Sequence, residues 1–311
     1  MPVEALRVSA DPNGGASAPL NWDSDSADWP LRAHSVFVRA AGMRWHVQQL
    51  GAGPELLLVH GTGASTHSWR GLAPLLAQRF AITAFDLPGH GFTAGTPQGG
   101  MSLNAMSAAV PELLAALAVR PQIAVGHSAG AAVLCRMALD GQLAARAIVS
   151  LNGALLPFHR VQRLLFGPVA RLMARSPLAA RAVAWGARDR GAVLRLLAGT
   201  GSQLDAAGVE LYWRLVRSEG HVNGALRMMA QWELERLEPD LPRLAVPLTL
   251  VVGEADPMVP LAEALRVQRI LPQATLIRLP RLGHLAHEEQ PEAVARIIIA
   301  LAERLAIGAP A

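Results

Sequence analysis

The chain has 311 residues, 51% of them hydrophobic and 17% charged, which suits one large or two modest folded domains and excludes a disordered chain. The formal net charge is +4, and every basic side chain counted in it is arginine because the sequence contains no lysine; so small an excess points to no nucleic-acid partner. No uninterrupted apolar run approaches the roughly 20 residues of a membrane-spanning helix.

In chain order, residues 1–33 are polar and rich in glycine and proline, without the basic-then-apolar layout of a secretory signal. They end in the acidic, tryptophan-flanked "NWDSDSADWP" and read as a loosely ordered lead-in whose tryptophans pack onto the domain. Two short strands around a glycine turn follow, "HSVFVRA" and "MRWHVQQL". Apolar strands then alternate with amphipathic helices. "ELLLVH", "FAITAFD", "QIAVGH" and "ARAIVSLN" are the strands; "SWRGLAPLLAQ", "SLNAMSAAVPELLAAL" and "SAGAAVLCRMAL" are the helices between them. This order predicts an α/β fold with a mostly parallel central sheet flanked by helices. Cys135, the sole cysteine, is expected as a small core residue, and with no disulfide possible a reducing cytoplasm is the expected compartment.

The alternation stops over residues 153–240, where helical periodicity continues without a convincing strand, as in "VQRLLFGPVARLMARS" and "VELYWRLVRSE". It resumes with "PLTLVVG", "PLAEALRVQRIL", "ATLIRL" and "PEAVARIIIALAERL". The expected division is a lead-in over 1–33, an α/β core over 34–152 and 241–311, and a helical cap over 153–240. Residues 155–200 carry eight arginines against one acid, Asp189, a basic segment on an otherwise slightly acidic chain. Arginines there suit ligand carboxylates or an anionic membrane surface, giving peripheral contact with the inner membrane through the cap. Solvated outer helix faces are the simpler explanation of the same residues. Trp185, Trp213, Met228, Met229 and Trp232 are candidates to line an apolar substrate cavity beneath the cap.

The chemistry-bearing pattern starts at "GHSAG", a Gly-x-Ser-x-Gly placed where a strand ends and a helix begins. There Ser128 reads as a nucleophile on a sharp turn, against the plainer reading of a serine in a small-residue loop. A serine hydroxyl needs a base, and the base an orienting acid. In this strand–turn–helix context the acid and then the base follow the serine in the chain. Asp256, in "GEADPMVP", and His284, in "RLGHLAHEEQP", each follow a strand of their own, at the sheet edge where sites in parallel sheets form. Asp86 in "FDLPGHG" and Glu254 are rivals for the acid, and His287 for the base. With Glu288, His287 is expected instead to form a hydrogen-bonded lid to the last helix, while His60, His90 and His127 are expected in structural hydrogen bonds. The loop "HGTGAS" follows its strand directly, so the N–H groups of Thr62, or Gly63, and Ala129 are the candidate oxyanion donors. No metal-ligand spacing is present at His284 and His287, and no cofactor is expected.

Together "HGTGAS", "DLPGHGFT", "GHSAG", "GEADPMVP" and "LGHLAHEEQP" resemble the α/β-hydrolase fold family over nearly the whole chain beyond residue 33, with the helical insertion at that family's cap position. A narrower resemblance, carried by "RWHVQQLGAGPELLLVHGTGASTHSWRGLAPLLA", "GHSAGAAVLCRMALDG" and "SLNGALLPF", is to the magnesium-chelatase accessory proteins of bacteriochlorophyll biosynthesis. It implies a role near magnesium insertion into protoporphyrin IX, with an acyl or tetrapyrrole small molecule as substrate and magnesium-chelatase subunits as partners. The alternatives are a general carboxylesterase or C–C hydrolase unrelated to pigment synthesis, and a non-catalytic tetrapyrrole-binding protein. A serine in the elbow argues against the related dehalogenases and epoxide hydrolases, which use aspartate.

Overall fold

The computed structural model describes residues 19–157 and 176–308. Eight strands form one sheet: β1 (Ser35–Ala40), β2 (Met43–Leu50), β3 (Glu55–Val59), β4 (Ala81–Phe85), β5 (Ile123–His127), β6 (Ala147–Leu151), β7 (Leu248–Gly253) and β8 (Thr275–Leu279). Their order across it is β1-β2-β4-β3-β5-β6-β7-β8. β1 and β2 form an antiparallel hairpin and β2 runs antiparallel to β4, while every pairing from β4 to β8 is parallel. The α/β class and the helix-flanked, mostly parallel sheet are as the sequence predicts.

The described helices are α1 (Trp22–Asp25), α2 (Leu72–Leu76), α3 (Leu103–Ala116), α4 (Ala129–Leu139), α5 (Pro177–Gly186), α6 (Arg190–Ala198), α7 (Ala206–Arg217), α8 (Glu219–Gln231), α9 (Leu261–Ile270), α10 (Ala286–Glu289) and α11 (Pro291–Arg304). The central strands are mostly apolar and almost wholly buried because both sheet faces are covered. Along β3, Leu57 and Val59 enter a cluster with Met106 and Val110 of α3, Val133 of α4 and Val267 of α9. The intervening Leu56 and Leu58 enter the opposite cluster with Leu72 of α2 and Ile298 of α11. That period of two fixes the register, since a one-residue slip would exchange the two faces.

Three local features depart from or extend the sequence reading. The helix expected over 68–78 is a 3-10 turn (Thr66–Trp69) followed by α2. The break falls at Gly71, where a Cβ would lie 3.0 Å from Pro291 at the start of α11. In the lead-in, Trp29 is buried and Trp22 meets Phe37 and Phe92 edge-on at 5.1 and 4.9 Å. Between β6 and β7 the described chain is helical, α5 to α8. The expected helix in "VQRLLFGPVARLMARS" falls, but for Ser176, outside the described residues, as do Arg160, Arg163, Arg171 and Arg175. Among the described residues no helix is long and apolar enough to cross a membrane.

Candidate active site

Ser128 sits between β5 and α4 with φ 50° and ψ −117°, outside the comfortable regions for a residue with a side chain. Its neighbours make the turn possible. A Cβ on Gly126 would lie 2.5 Å from the Ala131 nitrogen, and one on Gly130 would lie 2.6 Å from the His60 carbonyl oxygen. Both glycines are therefore required by backbone packed against backbone. The turn is pinned by Ser128 N–H donating to the Leu151 carbonyl at 3.0 Å and by Ala154 N–H donating to the Ser128 carbonyl at 3.1 Å. Ser128 is half-buried, whereas His127 and Ala129 on either side are buried.

Asp256 and His284 meet at the same sheet edge. His284 Nδ1 lies 2.7 Å from Asp256 Oδ2, and the carboxylate lies among three further donors: Asn152 Nδ2 at 2.8 Å on Oδ2, and Met258 and Val259 N–H at 2.7 and 3.0 Å on Oδ1. A carboxylate accepts only, so Nδ1 of His284 carries the hydrogen and Nε2 keeps its lone pair for a base's work. The His284 loop is held from two sides. Its N–H donates to the Thr200 carbonyl at 3.0 Å, and its carbonyl accepts from His127 Nε2 at 2.9 Å. No hydrogen bond joins Ser128 Oγ to His284 among the described residues; nucleophile–base contacts of this kind commonly tighten only with substrate bound.

Asn152 and the Thr200–Ser202 segment escaped the sequence reading. Asn152 follows β6, adopts φ 45°, and has a buried Oδ1 without a partner. Only the quoted "SLNGALLPF" marked its neighbourhood.

The loop after β3 carries Thr62 and Gly63, and among the described residues neither their N–H groups nor that of Ala129 donates to a backbone carbonyl. His60 fixes the loop's start, accepting from Leu87 N–H at 2.8 Å on Nε2 and placing Nδ1 2.8 Å from the Gly61 carbonyl. Helix α8 closes over the loop. His221 accepts from Gly91 N–H on Nδ1 at 3.1 Å, and its Nε2 donates to the Gly63 carbonyl at 3.1 Å. Burial draws His221 down to about 4, so it is neutral at pH 7 and holds this donor–acceptor pattern. Met228, fully buried, brings its sulfur within 3.4 Å of Thr62 Oγ1.

The five cap candidates are not gathered into one cavity. Met228 lies over the Thr62 loop, and Trp232 packs against the main core with a buried, unpartnered Nε1. Trp213 donates to the Ala187 carbonyl at 2.8 Å, both on the stretch between β6 and β7. Met229 and Trp185 are exposed, because both lie on helix faces turned away from the core.

The rivals have other work. Asp86 accepts from Thr66 and Phe92 N–H at 2.7 and 2.8 Å and lies 2.8 Å from His46 Nδ1. Burial raises its carboxyl, but His46, His60 and these bonds outweigh that and hold it well below the usual range. Glu254 pairs with Arg278. His90 has Nδ1 3.0 Å from the Pro88 carbonyl. His287 and Glu288 do not form a lid to the last helix. His287 Nε2 meets Ser68 Oγ at 2.8 Å; Glu288 pairs with Arg70 and accepts from Ser68 and Tyr212 hydroxyls, each at 2.7 Å. Glu288 is thus a buried tie between the core and α7, and burial raises its carboxyl despite Arg70, Ser68 and Tyr212. Among the described residues no group of three or more His, Cys, Asp or Glu is placed to hold a metal ion.

This arrangement can be set beside known proteins. The family model of the alpha/beta hydrolase fold matches residues 54–291. The magnesium-chelatase 30 kDa subunit of Rhodobacter capsulatus is 39% identical over 275 residues, covering 88% of this chain and 96% of that protein. The pyrrolizixenacetamide deacetylase of Xenorhabdus hominickii is 32% identical over 78% of this chain and 88% of its own. A crystal structure of an alpha/beta hydrolase fold protein from Burkholderia ambifaria superposes with a TM-score of 0.72 at 27% identity, covering 85% of this chain and 96% of that one. With the sheet order, the turn at Ser128 and these matches in agreement, the chain belongs to the alpha/beta hydrolase fold family.

Proposed function

We propose that this protein is a serine hydrolase that cleaves an ester or similar acyl bond through an acyl-enzyme. The observation that carries the reading is the Asp256–His284 pair, 2.7 Å apart, at the sheet edge that also holds Ser128 on its strained turn. Ser128 Oγ attacks the acyl carbon as its proton passes to His284 Nε2, while Asp256 stabilises the imidazolium. The oxygen of the tetrahedral intermediate takes hydrogen bonds from the N–H groups of Ala129 and Thr62, with Gly63 the neighbouring candidate. Collapse breaks the bond to the leaving group, which receives the proton from His284. Water, deprotonated by His284, then attacks the acyl-enzyme, releasing the acid and restoring Ser128. The α8 side chains over the Thr62 loop, Met228 above all, narrow what the site accepts.

In the cell the reaction serves the steps around magnesium insertion into protoporphyrin IX, beside magnesium-chelatase subunits; the similarity to the Rhodobacter capsulatus subunit supports this placing. The cap, over 153–240, sets specificity on a core formed by 34–152 and 241–311. Deletion of the gene in its host tests the reading. Protoporphyrin IX should accumulate, and the wild-type gene but not Ser128→Ala should restore pigment. Full rescue by Ser128→Ala would overturn catalysis in favour of a tetrapyrrole-binding accessory role.

A further inference from the structure

Helix α5 is amphipathic in the wrong sense for a helix that only serves the core. It buries alanines, Ala180 and Ala184 at 4% and 6% exposure, and turns Leu178 and Trp185 outward at 66% and 69%. A helix packed for stability alone does the reverse, burying large apolar side chains and exposing small ones. Positions 178, 181 and 185 follow the helical period, so Leu178, Arg181 and Trp185 form one outward stripe, and Arg188 is exposed in the turn just beyond the helix. The neighbouring α6 exposes Leu194 and Leu196 as well, at 48% and 57%. Of the seven large hydrophobics exposed among the described residues, five lie on the helices between β6 and β7. So large a share of the exposed apolar side chains in one region of the chain points to an interaction surface there.

The charge around the stripe is positive. Acids are present, but they are taken: Glu219 by Arg181 at 3.1 Å, Glu210 by Arg190 at 2.9 Å and Asp189 by Arg195 at 3.2 Å. Arg188 has no acidic partner among the described residues, and Arg217 lies over the Trp213 ring at 4.3 Å. A surface cleft of about 460 Å³ opens here, walled by Arg188, Arg217 and the Arg181–Glu219 ion pair beside Trp185.

We propose that this face docks on the surface of a bilayer carrying anionic lipids, with Trp185 and Leu178 entering at headgroup level and Arg188 and Arg217 in the cleft receiving a phosphate. Tryptophan and leucine beside arginine are the chemistry of interfacial contact. The exposed apolar members are spread over three helices rather than gathered into one concave pocket, which suits a fluid lipid surface better than the hot spot of a protein interface. Within the cleft Glu219 is held by Arg181, which leaves the Arg188 and Arg217 guanidiniums to fork onto phosphate oxygens. This inference does not depend on Ser128 being a nucleophile.

Flotation of the full-length protein with vesicles tests it, using pure phosphatidylcholine against phosphatidylcholine mixed with phosphatidylglycerol. The protein should float with the anionic vesicles only, and less so as salt rises. Arg188→Gln should weaken partitioning about fivefold, and Leu178→Ser with Trp185→Ser should abolish it. Circular dichroism checks that each variant is folded, and Arg188→Gln leaves the apolar surface intact should the double variant misfold. Failure to float with anionic vesicles, equal flotation with both kinds, or undiminished flotation of Arg188→Gln would overturn the proposal. So would a dimer formed through the same residues without lipid, or an acidic protein partner held there by a chain that ignores vesicles.

Discussion

Replacing Gly130 by alanine puts one methyl group where α4 meets the end of β3. The new carbon would lie 2.6 Å from the His60 carbonyl oxygen and 2.8 Å from the Val59 carbonyl carbon, with the Val59 oxygen closer still. All three are backbone atoms, so no side chain can turn aside. Relief requires the first turn of α4 to retreat by roughly half an ångström or more, at the 1–3 kcal/mol typical of overpacking. For a chain of 311 residues that loss lowers the melting temperature by roughly 2–5 °C. The functional cost is larger, because Ser128 and Ala129 begin the turn that must move. A displacement near 1 Å costs on the order of a hundredfold in a positioned reaction. We therefore expect Gly130→Ala to react with a fluorophosphonate ten- to a hundredfold more slowly, by order of magnitude. Gly186→Ala is the control: a Cβ there meets nothing within 4 Å, and stability should stay within about 0.5 kcal/mol. Wild-type labelling and melting by Gly130→Ala would refute the argument from packing.

Two more predictions concern groups that hold the site. Asn152→Gly tolerates the positive φ but deletes the 2.8 Å bond to buried Asp256, so probe labelling should slow about tenfold and stability fall by about 1–3 kcal/mol; an unchanged rate would mean Asp256 needs no such support. Tyr212→Phe removes the 2.7 Å bond to buried Glu288 and should cost about 2 kcal/mol at neutral pH, read by thermal unfolding. Burial holds the Glu288 proton more tightly in the folded chain than in the unfolded one. Folded-state stability from this group is thus regained as pH falls through its raised pKa towards the ordinary value. The Tyr212→Phe penalty should therefore shrink on acidification, and a penalty that grows would contradict the assignment.

The sequence made the fold and the His284–Asp256 pair legible because each residue follows its own strand within a short local motif. The sharp turn at Ser128 was legible for the same reason, its two glycines lying within the pentapeptide. What could not be read are contacts between distant segments. Thr62 and Met228 are 166 positions apart, and Asn152 and Asp256 are 104 apart. Nothing local in "HEEQ" indicates that Glu288 turns toward Arg70 and Tyr212 rather than the last helix. Helical periodicity in the cap likewise left open which face is buried. Trp185 looked like cavity lining, yet its helix packs through alanine.

The central claim is that Ser128 is a nucleophile served by His284 and Asp256. Its most direct test is intact-mass and peptide mapping after exposure to a fluorophosphonate. The account predicts a single adduct on the peptide holding Ser128 in the wild type, and none in Ser128→Ala. Equal labelling of the two proteins, or an adduct on another residue, would contradict it.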